Sequence, residues 1–90
     1  MPKYIIERDV TGAGDMTLEQ LKEVAQKSSS VLAELGTSIQ WLESFITDDK
    51  IYCVFIAPDE GLIRTHAEKG EFPVDAITTV RAVIDPSTSE

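Results

Sequence analysis

The centre of the chain is predicted to form a β-hairpin that is apolar on both of its faces. Residues 39–47 and 50–57 are rich in β-forming side chains, and the Asp48-Asp49 pair between them is typical of a tight turn. With this pair as the loop, Thr47 lies opposite Lys50, and alternate residues define two faces. We predict one face to hold Trp41, Glu43, Phe45, Tyr52, Val54 and Ile56, and the other to hold Gln40, Leu42, Ser44, Ile46, Ile51, Cys53, Phe55 and Ala57. A sheet with one face open to water carries polar residues there, so both faces of this hairpin require a cover.

A strand and a helix precede the hairpin. Residues 3–9 contain the β-formers of a strand, and turn residues follow it. Thr17 and Gln20 have the spacing of a capping box at the start of a helix, and Gly36 is placed to end that helix. Between these caps, side chains at helical spacing predict one continuous buried stripe made of Leu18, Leu21, Val24, Ala25, Ser28, Val31, Leu32 and Leu35.

A shorter helix and a last strand follow the hairpin. Asp59 opens the helix, Gly70 ends it, and the β-forming run at residues 76–84 is the strand. The order βαββαβ predicts an α+β, ferredoxin-like fold, in which a four-stranded antiparallel sheet carries two helices on one face. We assign residues 1–86 to this single domain and residues 87–90 to a frayed C-terminal tail.

Composition narrows the classes of function. The 90 residues carry a formal net charge of -8, which argues against nucleic acid and anionic membranes as partners, because phosphate contacts need clustered basic residues. A single Cys allows no internal disulfide, and no apolar run is long enough to span a membrane. The N-terminus shows no signal peptide, so we expect a cytoplasmic protein.

The length of the chain favours self-association. A chain of this size buries only about 60–65% of its unfolded surface when it folds alone. A second copy, packed sheet on sheet, would cover the free hairpin face and close a dimeric α/β barrel. A ligand or a different protein is the alternative cover. We expect the homodimer.

Several segments together resemble a known family of small bacterial proteins. They are residues 40–41, 48–53, 57–60, 63–67 and 70–73, and the resemblance extends over nearly the whole chain. The family is catalogued largely as a domain of unknown function, and one characterised branch is a nickel-binding actinomycete protein. The resemblance implies a ferredoxin-like fold, a dimer that pairs sheet faces, and nickel as the candidate cofactor. It also implies His66 as the imidazole ligand to the metal, helped by carboxylates of the same or the partner chain.

His66, the single histidine, is the first candidate for chemistry. It follows Leu62 by four residues and Ile63 by three, so helical spacing turns it toward the sheet. There it could act as a base, an acid or a metal ligand, or it could be a buried imidazole hydrogen-bonded to a carbonyl or hydroxyl. Ser28 has two interpretations as well, because its hydroxyl either bonds back to a helix carbonyl or meets His66 across the core.

Five further side chains are candidates for a pocket. Cys53, in the middle of a strand, is either a nucleophile or a small buried hydrophobe. Glu7 and Arg81 lie on the first and last strands, where in-register pairing would make them a substrate-orienting or a structural ion pair. Trp41 and Tyr52 belong to an aromatic cluster at the hairpin, which is either a dimer interface or a pocket wall.

We therefore expect a binding protein rather than an enzyme, with nickel as the ligand that the resemblance implies. The alternative is an enzyme of the dimeric-barrel type, isomerase-like or monooxygenase-like. In that enzyme Glu7, Arg81 and His66 would move protons on a small organic molecule inside a barrel pocket. A third hypothesis is an interaction module whose free sheet face binds a different protein.

Overall fold

The protein is a four-stranded antiparallel sheet with two helices on one face, which confirms the predicted ferredoxin-like fold. The computed structural model describes residues 1–90, and the strands follow the spatial order β2-β3-β1-β4. Neither helix has the length and apolar character needed to cross a membrane. The elements are β1 (Lys3–Asp9), α1 (Leu18–Leu35), β2 (Gln40–Ile46), β3 (Lys50–Ile56), α2 (Glu60–Gly70) and β4 (Ala76–Thr79), with 3-10 turns at Ala13–Asp15 and Pro86–Ser89.

The ends of α1 follow local cap chemistry. The Thr17 hydroxyl accepts from the Gln20 amide at 3.1 Å, and the Gln20 side chain accepts from the Thr17 amide at 2.9 Å. This reciprocal pair is the predicted capping box. Gly36 ends the helix at a φ of 93°, a backbone angle that glycine adopts without steric cost.

α2 ends at Gly70, as predicted, but the left-handed residue that caps it is Glu71. Asp59 caps its start by accepting from the Leu62 amide at 3.0 Å. Gly70 is still helical, and Glu71 takes the left-handed conformation at a φ of 57°. The glycine has another role, because a Cβ at position 70 would lie 2.3 Å from Cε2 of Phe72. Gly70 therefore makes room for the Phe72 ring to fold back onto α2.

The hairpin has the predicted register except at one point. Ser44 pairs with Cys53 and Phe45 with Tyr52, as alternation from the Asp48-Asp49 loop requires. Farther from the turn, Trp41 pairs with Phe55 while Glu43 pairs with Val54, so β2 contains one extra residue, Leu42, in a β-bulge. The bulge moves Trp41 to the face of Cys53 and Phe55. The predictions that Trp41 shares a face with Phe45 and Tyr52, and that Gln40 shares one with Cys53, are therefore wrong.

The last strand is shorter than predicted. β4 pairs with β1 from Ala76 opposite Glu7 to Thr79 opposite Tyr4, and the Val80 amide makes one more bond to the Lys3 carbonyl. Because β1 begins at Lys3, the chain beyond Val80 has no neighbouring strand to pair with. Residues 81–90 are exposed, and Arg81 is not part of the sheet.

The core lies between the helices and the face of the sheet that they cover, which we call the helix face. Its largest fully buried side chains are Phe55, Ile6, Ile63 and His66. The second half of α1 packs here through buried Val31, whereas Leu18 at the start of the helix is 86% exposed. The predicted continuous buried stripe of α1 is therefore wrong in its first half, which stands over a cavity.

The other face of the sheet, which we call the open face, has no cover within the single chain. It presents alternate residues of β1, β2 and β3, among them Ile5, Phe45, Tyr52 and Val54. Ile5 is 39% exposed and Phe45 is 52% exposed. The open face is thus apolar in its centre, as the hairpin pattern predicts.

Candidate functional site

A cavity of about 370 Å³ lies between the first half of α1 and the helix face of the sheet. We call it the α1 cavity. Eleven of its sixteen lining residues are hydrophobic, so a ligand inside it would meet mainly apolar walls and a few polar groups, as small-molecule sites usually provide. The lining residues are Arg8, Val10, Met16, Leu21, Val24, Ala25, Ser28, Trp41, Ser44, Ile46, Ile51, Cys53, Phe55, His66, Phe72 and Pro73.

The first half of α1 forms one wall of this cavity. Leu21, Val24 and Ala25 are half-buried and line the space, although their helical spacing would equally suit a packed core. Ala25 contributes only a methyl group to this wall. The location differs from the predicted barrel pocket, because the cavity lies on the helix face and not on the open face.

His66 lines the cavity from α2 and is only 1% exposed. Its Nε2 shares a hydrogen bond of 3.1 Å with the Ser28 hydroxyl, so the interpretation that joins these residues across the core is confirmed. Its other nitrogen, Nδ1, is buried without a hydrogen-bond partner. The rings of Phe55 and Phe72 lie 5.2 Å and 5.4 Å from the imidazole.

The surroundings of His66 keep its ring neutral. Burial lowers the pKa of His66 below its ordinary value of 6.5, and the positive charge of Arg8 lowers it further. At neutral pH the imidazole therefore offers one donor and one acceptor. Ser28 uses one of them, and the second is left for another group.

A chain of hydrogen bonds joins three cavity residues on the two hairpin strands. Trp41 Nε1 donates to the Ser44 hydroxyl at 2.9 Å, and this hydroxyl donates to Cys53 Sγ at 3.0 Å. Cys53 is buried. Its sulfur is thus held as an acceptor of hydrogen bonds, and the bulge at Leu42 is what brings the indole within reach of Ser44.

Arg8 is a charged cavity residue that the sequence analysis does not single out. It is only 4% exposed, its Nε donates to Cys53 Sγ at 3.4 Å, and its Nη1 donates to the Pro73 carbonyl at 2.6 Å. Its guanidinium carbon lies 5.4 Å from the centre of the Phe72 ring. A signal was present, because Tyr4, Ile6 and Arg8 alternate and share the core-facing side of β1.

Three predicted pocket residues lie outside the cavity. Glu7 is on the open face and forms an ion pair of 3.2 Å with Lys50, which also meets Asp9 at 3.3 Å. Hydrogen bonds with these two carboxylates raise the pKa of Lys50. Arg81 is exposed beyond β4, so the predicted Glu7–Arg81 pair does not form. Tyr52 is on the open face opposite Phe45, and only Trp41, Cys53 and His66 of the predicted set line the cavity.

The side chains around His66 do not fit a nickel site within one chain. No three His, Cys, Asp or Glu residues lie close enough together to hold a metal ion. Around the imidazole are a serine hydroxyl, two phenyl rings and a cationic guanidinium, and none of them is a carboxylate. A divalent cation at His66 would therefore be placed near Arg8 without any anionic ligand.

The comparison with protein families identifies the relationship. Residues 4–80 match the model of the family described as nickel responsive protein SCO4226-like. The chain belongs to this SCO4226-like family. The match begins at the second residue of β1 and ends one residue beyond β4.

A solved structure supports the same relationship at the level of the fold. The crystal structure of SCO4226 from Streptomyces coelicolor A3(2) matches with a TM-score of 0.76. The match covers 91% of this chain and 99% of that chain, at 18% sequence identity. Among curated proteins, no match is found.

Proposed function

We propose that the protein binds a small, largely apolar organic molecule in the α1 cavity. The observation that carries this proposal is the cavity itself, about 370 Å³ in volume and mostly hydrophobic, in a chain of only 90 residues. An engineered cavity of about 150 Å³ holds benzene. The α1 cavity therefore has room for a fused bicyclic ring with a substituent.

Binding, rather than turnover, is what the polar groups support. The proton-transfer set of the enzyme alternative was Glu7, Arg81 and His66, and only His66 lies in the cavity. Its imidazole faces Ser28 and two aromatic rings, which orient it without supplying a second acid or base. A dimeric-barrel enzyme with that set of residues is therefore not our proposal.

The cavity is tested with a neutral ligand and two matched variants. We expect naphthalene-2-carboxamide to bind with a Kd between about 10 μM and 1 mM, the range that typical ligand efficiencies give for its size. In Ala25→Trp the indole fills the cavity and calorimetric binding should disappear. In Ala33→Trp, on the exposed side of the same helix, binding should be unchanged. Absence of binding to the wild-type protein, or equal binding in both variants, would refute the proposal.

A homodimer that buries the open face is the second part of the proposal. Ile5, Phe45, Tyr52 and Val54 form an apolar centre there, and an apolar sheet face of this kind is normally covered. The segment after β4 adds support, because Val83 and Ile84 are exposed and have no partner strand within the chain. In a symmetric homodimer the second copy presents the same apolar open face and the same exposed segment after β4, so each copy can cover the other.

Sedimentation measures this association. One chain has a mass of 9.9 kDa, so the wild-type protein should sediment as a particle of about twice that mass. Phe45→Asp places a charge on the open face and should give the monomer. Leu18→Asp, at an 86% exposed position on α1, should stay dimeric. A wild-type protein that remains monomeric at high concentration would exclude this dimer and favour a different protein as the cover.

Nickel binding is a second candidate function, and the family description is the observation that favours it. Because the residues around His66 do not form a nickel site within one chain, such a site would need donors from more than one chain. Calorimetric titration with nickel separates the possibilities. Heat that persists in His66→Asn would exclude His66 as a ligand, and the absence of heat in the wild-type protein would exclude nickel binding altogether.

A further inference from the structure

Arg8 carries a buried positive charge that no carboxylate in the chain neutralises. The side chain is 4% exposed, and the three ion pairs of the protein involve Lys50 and Arg64 but not Arg8. A guanidinium stays charged at any pH at which a protein is folded. Burial of a charge without a counter-ion is unfavourable, so proteins normally pair such a group.

The guanidinium is held in place with one end free. Nε donates to Cys53 Sγ and Nη1 donates to the Pro73 carbonyl, while the guanidinium carbon lies 5.4 Å from the centre of the Phe72 ring. The third nitrogen, Nη2, donates to no protein atom, and it is not among the buried atoms that lack a partner. Arg8 lines the α1 cavity, so an acceptor inside the cavity can approach the guanidinium, whose Nη2 has no partner in the protein.

A second unsatisfied group lies close by. His66 Nδ1 is buried without a partner, His66 also lines the cavity, and its ring packs on the same Phe72 ring as Arg8. The two groups thus share one end of an otherwise apolar space. A polar ligand head at that end can satisfy both, whereas a wholly apolar ligand can satisfy neither.

From these positions we infer that the natural ligand is an organic monoanion, with a carboxylate or similarly planar acid on an apolar body of about bicyclic size. The acid pairs with the free edge of Arg8, and the body fills the space under Leu21, Val24 and Ala25. The planar fork of a guanidinium favours a carboxylate over a spherical anion. The inference rests on the proposed ligand cavity and adds the charge of the molecule that occupies it.

The test compares two ligands of nearly the same shape. Naphthalene-2-carboxylate is ionised at neutral pH and naphthalene-2-carboxamide is neutral, so they differ mainly in charge. A hydrogen bond to a charged group adds about tenfold to a hundredfold in affinity. We expect the wild-type protein to bind the carboxylate tighter than the carboxamide by such a factor in calorimetry.

Two variants locate the source of the preference. Arg8→Gln keeps a hydrogen-bond donor but removes the charge, so affinity for the carboxylate should fall to that for the carboxamide. Lys27→Gln is the matched control, because the Lys27 ammonium also lies 5.4 Å from the Phe72 ring but the residue is exposed and does not line the cavity. This control should keep the full preference.

The outcomes separate the inference from the proposed function. Equal affinity of the wild-type protein for both ligands overturns the anion assignment and leaves the cavity function intact. A preference that survives in Arg8→Gln, or disappears in Lys27→Gln, also overturns the role of Arg8. No binding of either ligand overturns the cavity function and the inference with it. Affinity for the carboxamide shows that Arg8→Gln has folded, since that ligand does not depend on the charge.

Discussion

The structure predicts most directly whether Gly70→Ala raises or lowers the stability of the protein. In a helix interior, replacing glycine with alanine usually stabilises by about 0.5–1 kcal/mol. Here the new Cβ would lie 2.3 Å, 2.6 Å and 3.1 Å from three carbons of the Phe72 ring, far inside van der Waals contact. The ring must then retreat by about 1 Å, and overpacking of this kind costs about 1–3 kcal/mol.

The ring cannot retreat freely. Phe72 is stacked on His66 on one side, and both Arg8 and Lys27 lie 5.4 Å from its centre. We therefore expect Gly70→Ala to lower the free energy of unfolding by about 1–2 kcal/mol in urea titrations. In a domain of this size each kcal/mol corresponds to about 4–8 °C in Tm.

Two comparisons isolate the cause. Gly61→Ala, in the first turn of α2, would meet only the Asp59 carboxylate, at 3.1 Å, and should not lower the free energy of unfolding. In a Phe72→Ala background, Gly70→Ala should no longer destabilise, because the clashing ring is gone. The packing argument is refuted if Gly70→Ala is as stable as the wild-type protein. It is also refuted if Gly70→Ala still lowers the free energy of unfolding in the Phe72→Ala background.

Three further predictions concern the polar groups of the cavity. Because burial holds the pKa of His66 below 6.5, the unfolded chain binds more protons than the folded protein just below that pH. The free energy of unfolding should therefore fall as pH drops below about 6.5, by at most about 1.4 kcal/mol per pH unit, until pH passes below the pKa of folded His66. Urea titrations at pH 7.5 and 5.5 measure this fall, and in His66→Asn it should be much reduced, since the chain has no other histidine. Ser28→Ala leaves His66 Nε2 without its partner in a buried site and should destabilise by about 1–3 kcal/mol, whereas Ser29→Ala, exposed on the same helix, should be near neutral in the same assay. Arg8→Met removes an unneutralised buried charge and should raise the free energy of unfolding of the ligand-free protein by about 1 kcal/mol while abolishing the carboxylate preference. A loss of stability in that variant would mean that Arg8 is a structural residue.

The fold was predictable because its signals are local. The Thr17–Gln20 capping box, the Asp59 cap and the Asp48-Asp49 turn each depend on backbone groups within a few residues. Alternation along β3 then places Cys53 and Phe55 on one face whatever surrounds them. Such features carry the same energetic preference in any chain, so the order βαββαβ could be derived from the residues.

The site was less predictable because its geometry depends on distant partners. The bulge at Leu42 turns Trp41 inward, where its indole meets Ser44, and an alternating pattern contains no sign of the extra residue. β4 stops after Thr79 because β1 begins at Lys3, so the length of one strand is set by another 70 residues away. The predicted Glu7–Arg81 pair does not form because this register places Glu7 opposite Ala76, whereas Arg81 follows the other end of the pairing, beyond Thr79 opposite Tyr4.

The sequence by itself determined the fold class, the family resemblance, the open apolar face and the burial of His66. Only the tertiary structure decided that the first half of α1 lies over a cavity, and that Arg8 lines this cavity without a carboxylate partner. The physical reason is that periodicity reports which side of an element faces inward. Whether that side meets packed atoms or empty space depends on how two elements, far apart in the chain, fit against each other.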